Sequence, residues 1–305
     1  MTEKPPGDER AGGLVLALDA GSPVVSVAVG RGGAVLATRA VALQRSSTQL
    51  LALVAETLAA AGARPADLDG VVALAGPGSF TGLRVGLATA LGLHQGLGVR
   101  AQALPTLAAL AAASAAPPGS LVIAAVDALR GDWAAQAFQV GGPLPVPLGE
   151  MALVPAAELP RRLAPTAGAE PRVADLSAVR ETPDIPAFRE TPAMQANPEM
   201  QEAPEIIAFG AAALCRAIAA AGGRARCREA PPLAPAALRL AAALPPASWR
   251  AASLTAPIYS RPPATTSPRP RIAPAAPTAG EASAVPAPDA AAQTATAAPP
   301  GGPGS

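Results

Sequence analysis

The sequence predicts an α/β chain built as two copies of one unit, each an antiparallel strand meander continued by parallel crossovers. Three observations lead there. The first is an opening run of three strand-like segments separated by glycine turns. The second is a strand, glycine turn and helix start at Val71–Gly86, VVALAGPGSFTGLRVG. The third is a partial restatement of the opening at Leu121–Val140, LVIAAVDALRGDWAAQAFQV.

Leu14–Asp19, Val24–Gly30 and Ala34–Leu43 read as successive strands, with turns at Gly21-Ser22-Pro23 and Arg31-Gly32-Gly33. Ser46 and Gln49 form an S-x-x-Q capping pattern that opens a helix to Ala61. Leu50, Leu51, Val54, Leu58 and Ala61 stripe one face of it. A buried strand over Val71–Ala75 follows and is broken by Gly76-Pro77-Gly78. Ser79 stands at the N-cap position of a helix running to residue 97, where its hydroxyl accepts a first-turn N–H. A strand near 99–104 and a helix over 106–115 complete the unit. The order βββαβαβα is that of the ribonuclease-H-like, actin-like fold.

The second unit is predicted from residue 119 to 261, after a first lobe at 13–118. Asp19-Ala20 and Asp127-Ala128 each end an apolar strand and lead through a turn to a second one. Strand-like VPLGEMALV, a helix at Glu158–Leu163 and a helix near Glu205–Ala221 continue the second unit. Residues 176–204 carry Arg-Glu-Thr-Pro twice and are rich in Pro, Glu and Gln. They read as a mobile insert, because such composition buries too little to offset ordering entropy. Residues 1–12 read as a disordered arm. Residues 262–305 are mostly Ala and Pro and read as a flexible tail whose deletion leaves folding intact.

Composition narrows the function. The chain has 305 residues, 50% of them hydrophobic but only 2% aromatic, so its core is made from small and aliphatic side chains. Its net charge of +1 supplies no field to recruit nucleic acid or an acidic membrane. Cys215 and Cys227 are its two cysteines and read as reduced packing residues. His94 is its one histidine, and one imidazole without further ligands makes no metal site. The polar N-terminus and the lack of a long apolar run predict a soluble cytoplasmic protein without signal peptide or membrane span.

The loop at Gly76–Arg84 has the architecture that usually approaches a phosphate, but no G-K-[ST] follows it. Asp19, Gly21, Ser22 and Asp127 are candidate remnants of nucleotide-holding loops. The competing reading is that they are structural turns, since Asp commonly bonds nearby backbone N–H groups. Gly82, Gly86 and Ala90 lie four apart and form one small-residue stripe. Each glycine inside a helix costs about 1 kcal/mol relative to alanine, so close backbone approach must compensate. Either a partner helix or the chain's own sheet provides that approach.

GPGSFTGLR at Gly76–Arg84 resembles the signature of the bacterial TsaB (YeaZ) family. Leu14–Val29, Ser47–Gly62, Leu104–Ala111, Val126–Gln139 and Pro257–Arg261 (PIYSR) fall in that family's order. The resemblance spans about residues 14–175 and 205–261. It implies a non-catalytic subunit, without cofactor, of the machinery that makes threonylcarbamoyladenosine in tRNA. It further implies that the subunit binds and stabilises a TsaD-like transferase, joined by a TsaE-like ATPase, with tRNA contacted through the complex. Homodimerisation is a competing association, and nucleotide binding is expected only weakly or at the partner interface. The resemblance assigns the interface to the two helices, through Leu51, Val54, Leu58, Gly82, Leu83, Gly86 and Ala90. Gly76, Pro77, Gly78 and Ser79 then set the start of the second helix, with Arg84 beside it as a polar contact. TsaD carries paired histidine metal ligands on its first helix, where this chain reads Arg45-Ser46-Ser47-Thr48-Gln49. The alternative is an independent nucleotide-binding enzyme of the actin-like type, an ATPase or kinase.

Overall fold

The computed structural model describes residues 12–42, 46–162 and 204–260. The predicted arm (save Gly12), nearly all of the 176–204 insert, the 262–305 tail and Arg45 lie outside them. The first half runs β1 Leu14–Asp19, β2 Val24–Arg31, β3 Ala34–Ala42, α1 Ser46–Ala60, β4 Gly70–Leu74, α2 Phe80–Leu97, β5 Arg100–Leu104 and α3 Thr106–Ala113. The second runs β6 Leu121–Asp127, β7 Asp132–Gln139, β8 Val146–Pro147, β9 Ala152–Pro155, α4 Leu159–Arg162, β10 Glu205–Ala208, α5 Ala211–Ala220, β11 Arg226–Glu229 and α6 Ala234–Ala243.

Each half contributes one sheet. The first has the order β3-β2-β1-β4-β5. β1 pairs antiparallel with β2 (Leu16 opposite Val29) and parallel with β4 (Leu16 opposite Val71). The second has the order β11-β10-β6-β7-β8, with β9 also paired to β7. β6 is antiparallel to β7 and parallel to β10, so it occupies the place that β1 holds in the first sheet. The duplicated topology is the actin-like arrangement. All six residues of β1 are buried, as a central strand covered on both faces requires.

The apolar clusters define the layers. α1 and α2 cover one face of the first sheet, through Leu50, Leu53, Val54, Leu58 and Leu87. α3 and α6 lie between the sheets, joining Val15, Ala17 and Val72 to Val122, Ala124 and Phe138. α5 covers the far face of the second sheet with Leu214 and Ile218. Alanine is frequent in the middle layer, which lets helix and sheet backbones approach closely.

Several expectations change. The predicted helix near Glu205–Ala221 is instead strand β10 followed by α5. Ile206 and Ile207 are β-branched and fully buried, and they pair beside Ile123 and Ala124 of β6. Gly210 then starts the helix at a φ of 75°. VPLGEMALV forms two short strands, β8 and β9, instead of one. β11 and α6 were not foreseen. α6 also blurs the division at residue 119. It packs on β1, β2 and β3 of the first sheet, and Ser26 Oγ accepts from Ala234 N at 3.1 Å to fix its first turn.

Candidate functional site

The Gly76–Ser79 loop is held from three sides by backbone. Ala75 N donates to Leu104 O, and Thr106 N donates to Gly76 O at 2.7 Å. Gly76 N donates in return to Thr106 Oγ1 at 3.1 Å. On the second side the Asp19–Ser22 turn leans on the loop, and Ser79 N donates to Gly21 O at 2.8 Å. On the third, the C-terminal segment crosses above it, with Ile258 N donating to Ala75 O at 2.7 Å. Gly76 has a φ of 114°, and a Cβ there would overlap Ile258 O. The Gly76-Pro77 peptide is cis.

Ser79 caps α2 as expected: its Oγ accepts from Gly82 N at 3.3 Å. The N–H groups of Ser79 and Gly82 are therefore already engaged inside the chain. Gly78 rests on the same turn, where a Cβ would stand 2.7 Å from Gly21 O. This is a close-packed crossing of two glycine turns.

The small-residue stripe faces inward. A Cβ on Gly82 would overlap Ala20 O, and one on Gly86 would stand 3.3 Å from Ala20 Cβ. Leu83 and Ala90 are fully enclosed, and Val54 and Leu58 are buried in the same layer. The interface assigned to Val54, Leu58, Gly82, Leu83, Gly86 and Ala90 is thus corrected: these residues pack on the chain's own sheet and on the Ala20–Gly21 turn. Leu51 alone of that set is exposed, at 64%. The outward face of α2 carries Thr81, Arg84, Ala88, Gly92 and Gly96.

The two aspartates separate. Asp19 is fully buried, and its Oδ1 accepts from Gly21 N and Ser22 N at 3.2 Å each. Its Oδ2 and the Ser22 hydroxyl are enclosed without a hydrogen-bond partner among the described residues. Burial pushes the Asp19 carboxyl up from 3.8 to about 6, against the opposing pull of Ser22 and Gly21. Asp127, at the matching end of β6, is exposed and accepts from Leu129 N at 2.7 Å in a plain hairpin turn. His94 lies half-buried in the last turn of α2, its Nδ1 2.6 Å from Val99 O. Cys215 and Cys227 are both free. Among the described residues, no group of three or more His, Cys, Asp or Glu is placed to hold a metal. Nor is any helix among them long and apolar enough to cross a membrane.

One cluster escaped the sequence reading. The Phe80 and Tyr259 rings stack with centroids 5.0 Å apart. The Arg84 guanidinium lies 3.9 Å from the Phe80 ring centroid, and its Nε donates to Tyr259 Oη at 3.1 Å. The loop and PIYSR segments, 175 residues apart, meet here. The signal was available as two motifs of one family, but nothing in either names the other. Tyr259→Ala is expected to cost about 1 kcal/mol and Tyr259→Phe less, because the ring contacts outweigh one exposed hydroxyl bond. The shift of the urea midpoint measures both.

Comparison with known proteins follows the geometry. A family model described as "TsaD: tRNA N6-adenosine threonylcarbamoyltransferase" matches residues 38–167. The chain is 32% identical over 123 residues to "tRNA threonylcarbamoyladenosine biosynthesis protein TsaB" of Escherichia coli (strain K12). That match covers 39% of this chain and 53% of the relative, so the chain spans about half the length of the curated relative it matches. A solved Pseudomonas aeruginosa protein, described as uncharacterized with similarity to peptidase YEAZ, superposes with a TM-score of 0.54 at 24% identity. The superposition covers 75% of this chain and 90% of that one, and it supports the fold. "YeaZ from Pseudomonas aeruginosa" is 29% identical with a TM-score of 0.44, covering 50% of this chain and 69% of that one.

Proposed function

We propose that this chain, which has the actin-like fold, is a TsaB/YeaZ-type protein and acts in threonylcarbamoyladenosine formation on tRNA. Its role there is to bind and stabilise a TsaD-like transferase without itself carrying the chemistry. A TsaE-like ATPase joins the pair, and tRNA is reached through the complex in the cytoplasm. A homodimer would compete for the same surface. Resemblance to a TsaB protein, and to the TsaD model over 38–167, supports a partner of related fold.

The observation that carries this reading is the neighbouring pair α1 and α2 on the outside of the first sheet. Leu51 and Ala55 are exposed on one, and Ala88 and Gly92 on the other. A small-residue helix face lets a partner helix come close. The non-catalytic part is supported by the packing of the loop on Gly21, which leaves its Ser79 and Gly82 N–H groups engaged.

The test pairs two measurements. Ala88→Arg is expected to abolish co-elution with a TsaD-like protein while leaving the melting temperature of the isolated chain unchanged. An intact complex would remove this surface from the proposal. The second reading, an independent nucleotide enzyme, draws on the enclosed Asp19 Oδ2, which has no partner among the described residues. The chain alone is expected neither to turn over ATP nor to keep stoichiometric metal after chelation. ATP turnover lost in Asp19→Ala would replace the subunit reading with the enzyme one.

A further inference from the structure

β3 forms the outer edge of the first sheet, and no described residue pairs with its free side. Among the described residues, the N–H and C=O groups of β3 that point away from β2 have no strand partner. Proteins commonly blunt such an edge with proline, short length or several charges. β3 contains no proline, Arg39 is its single charge, and one bulge at Leu36 interrupts its register with β2. Val35 and Leu36 are 40% and 52% exposed on it.

Beside this edge lies a groove of about 330 Å³ between β3 and the start of α6. Thr38, Arg39, Pro231, Pro235 and Arg239 are among its lining, and no carboxylate is. Arg39 donates to Thr38 O at 2.9 Å and Arg239 to Ala112 O at 3.2 Å. Carbonyl contacts orient both guanidiniums but leave their charge uncompensated, and neither is ion-paired among the described residues.

We propose that this edge and groove take up an extended acidic segment of a partner protein as an added strand. Its backbone would run along β3 with carboxylates on both faces of the added strand, one toward Arg39, which leaves β3 on the α1 face beside Val27, and one toward Arg239 on the α6 face. Main-chain hydrogen bonds give such docking its affinity, and the guanidiniums give it charge selection. A second copy of this chain fits poorly, because β3 on β3 would bring four arginines together without a carboxylate. A nucleic acid offers phosphates but no peptide groups to complete the strand edge. The site is independent of the α1 and α2 surface, so its failure would leave the subunit reading untouched.

The experiment is fluorescence anisotropy of the full chain with a labelled nonapeptide of Val-Val-Glu-Glu repeat, which puts carboxylates on both faces of the strand. Saturable binding is expected, at least about tenfold tighter than for the valine–lysine counterpart. Arg39→Glu with Arg239→Glu should reverse that preference, and both arginines are exposed, so the fold is expected to survive; thermal melting checks it. Methylating alternate peptide nitrogens should weaken binding of the glutamate peptide. Absence of saturable binding, or equal binding of both peptides, would overturn the proposal. So would indifference to N-methylation. A concentration-dependent dimer lost in the double variant would give the edge to a second copy and overturn it as well.

Discussion

Gly82→Ala is expected to destabilise the chain by about 3 kcal/mol, while Gly92→Ala, about three turns further along the same helix, stabilises it by about 1 kcal/mol. Both substitutions add one methyl group and the same helix propensity. What differs is the wall they meet. At Gly82 the new carbon would overlap Ala20 O, with Ala20 C at 2.9 Å and Gly21 Cα at 3.2 Å. All three are backbone atoms of a turn that also receives Ser79 N, so none can swing aside. At Gly92 the added carbon meets nothing within 4 Å. Gly86→Leu falls between, with about 1–3 kcal/mol lost to overpacking against Ala20. That result would be read as a lowered melting point in the isolated chain, before any partner is added. Chemical denaturation of the three variants measures the order. A neutral Gly82→Ala would show that α2 does not sit on the Ala20–Gly21 turn.

Asp19 is expected to make stability fall as pH rises between about 4 and 6.5. Its folded carboxyl titrates near 6 against an ordinary 3.8, so the folded state holds the proton that the unfolded chain has already released. The stabilisation is complete below 3.8 and is lost as pH climbs through 6. The difference corresponds to about 3 kcal/mol. Asp19→Asn keeps the shape and the acceptor oxygen toward Gly21 N and Ser22 N but removes the titration. The variant should therefore match the wild type near pH 4 and exceed it near pH 7. Urea midpoints of both proteins across that range give the result. Parallel pH curves would mean that the enclosed carboxyl finds a compensating partner.

Much of the element order was legible because it rests on local rules. Alternating and continuous apolar runs marked β1, β2, β4 and β6, and Ser79 marked the start of α2. The restated hairpin at 121–140 marked the duplication, and the matching strand orders of the two sheets repeat it. Glu205–Ala208 was misread because four residues carry too little period to tell a strand from a helical turn. α6 was missed because six of its ten residues are alanine, which hides its buried face.

The site divided along the same line. The sequence by itself determined that a glycine turn leads into a serine-capped helix, because dihedral freedom and side-chain capping belong to single residues. It also determined that the helix has a small-residue face, since spacing alone sets which residues share a side. Only the tertiary structure decided that this face looks inward, because a stripe of glycines serves a partner helix and an adjacent turn equally well. It alone buried Asp19 while leaving Asp127 exposed, since two similar strand ends differ only in what is packed against them. It alone joined Tyr259 to Phe80 and Arg84, because no local rule reaches across the 175 residues between them.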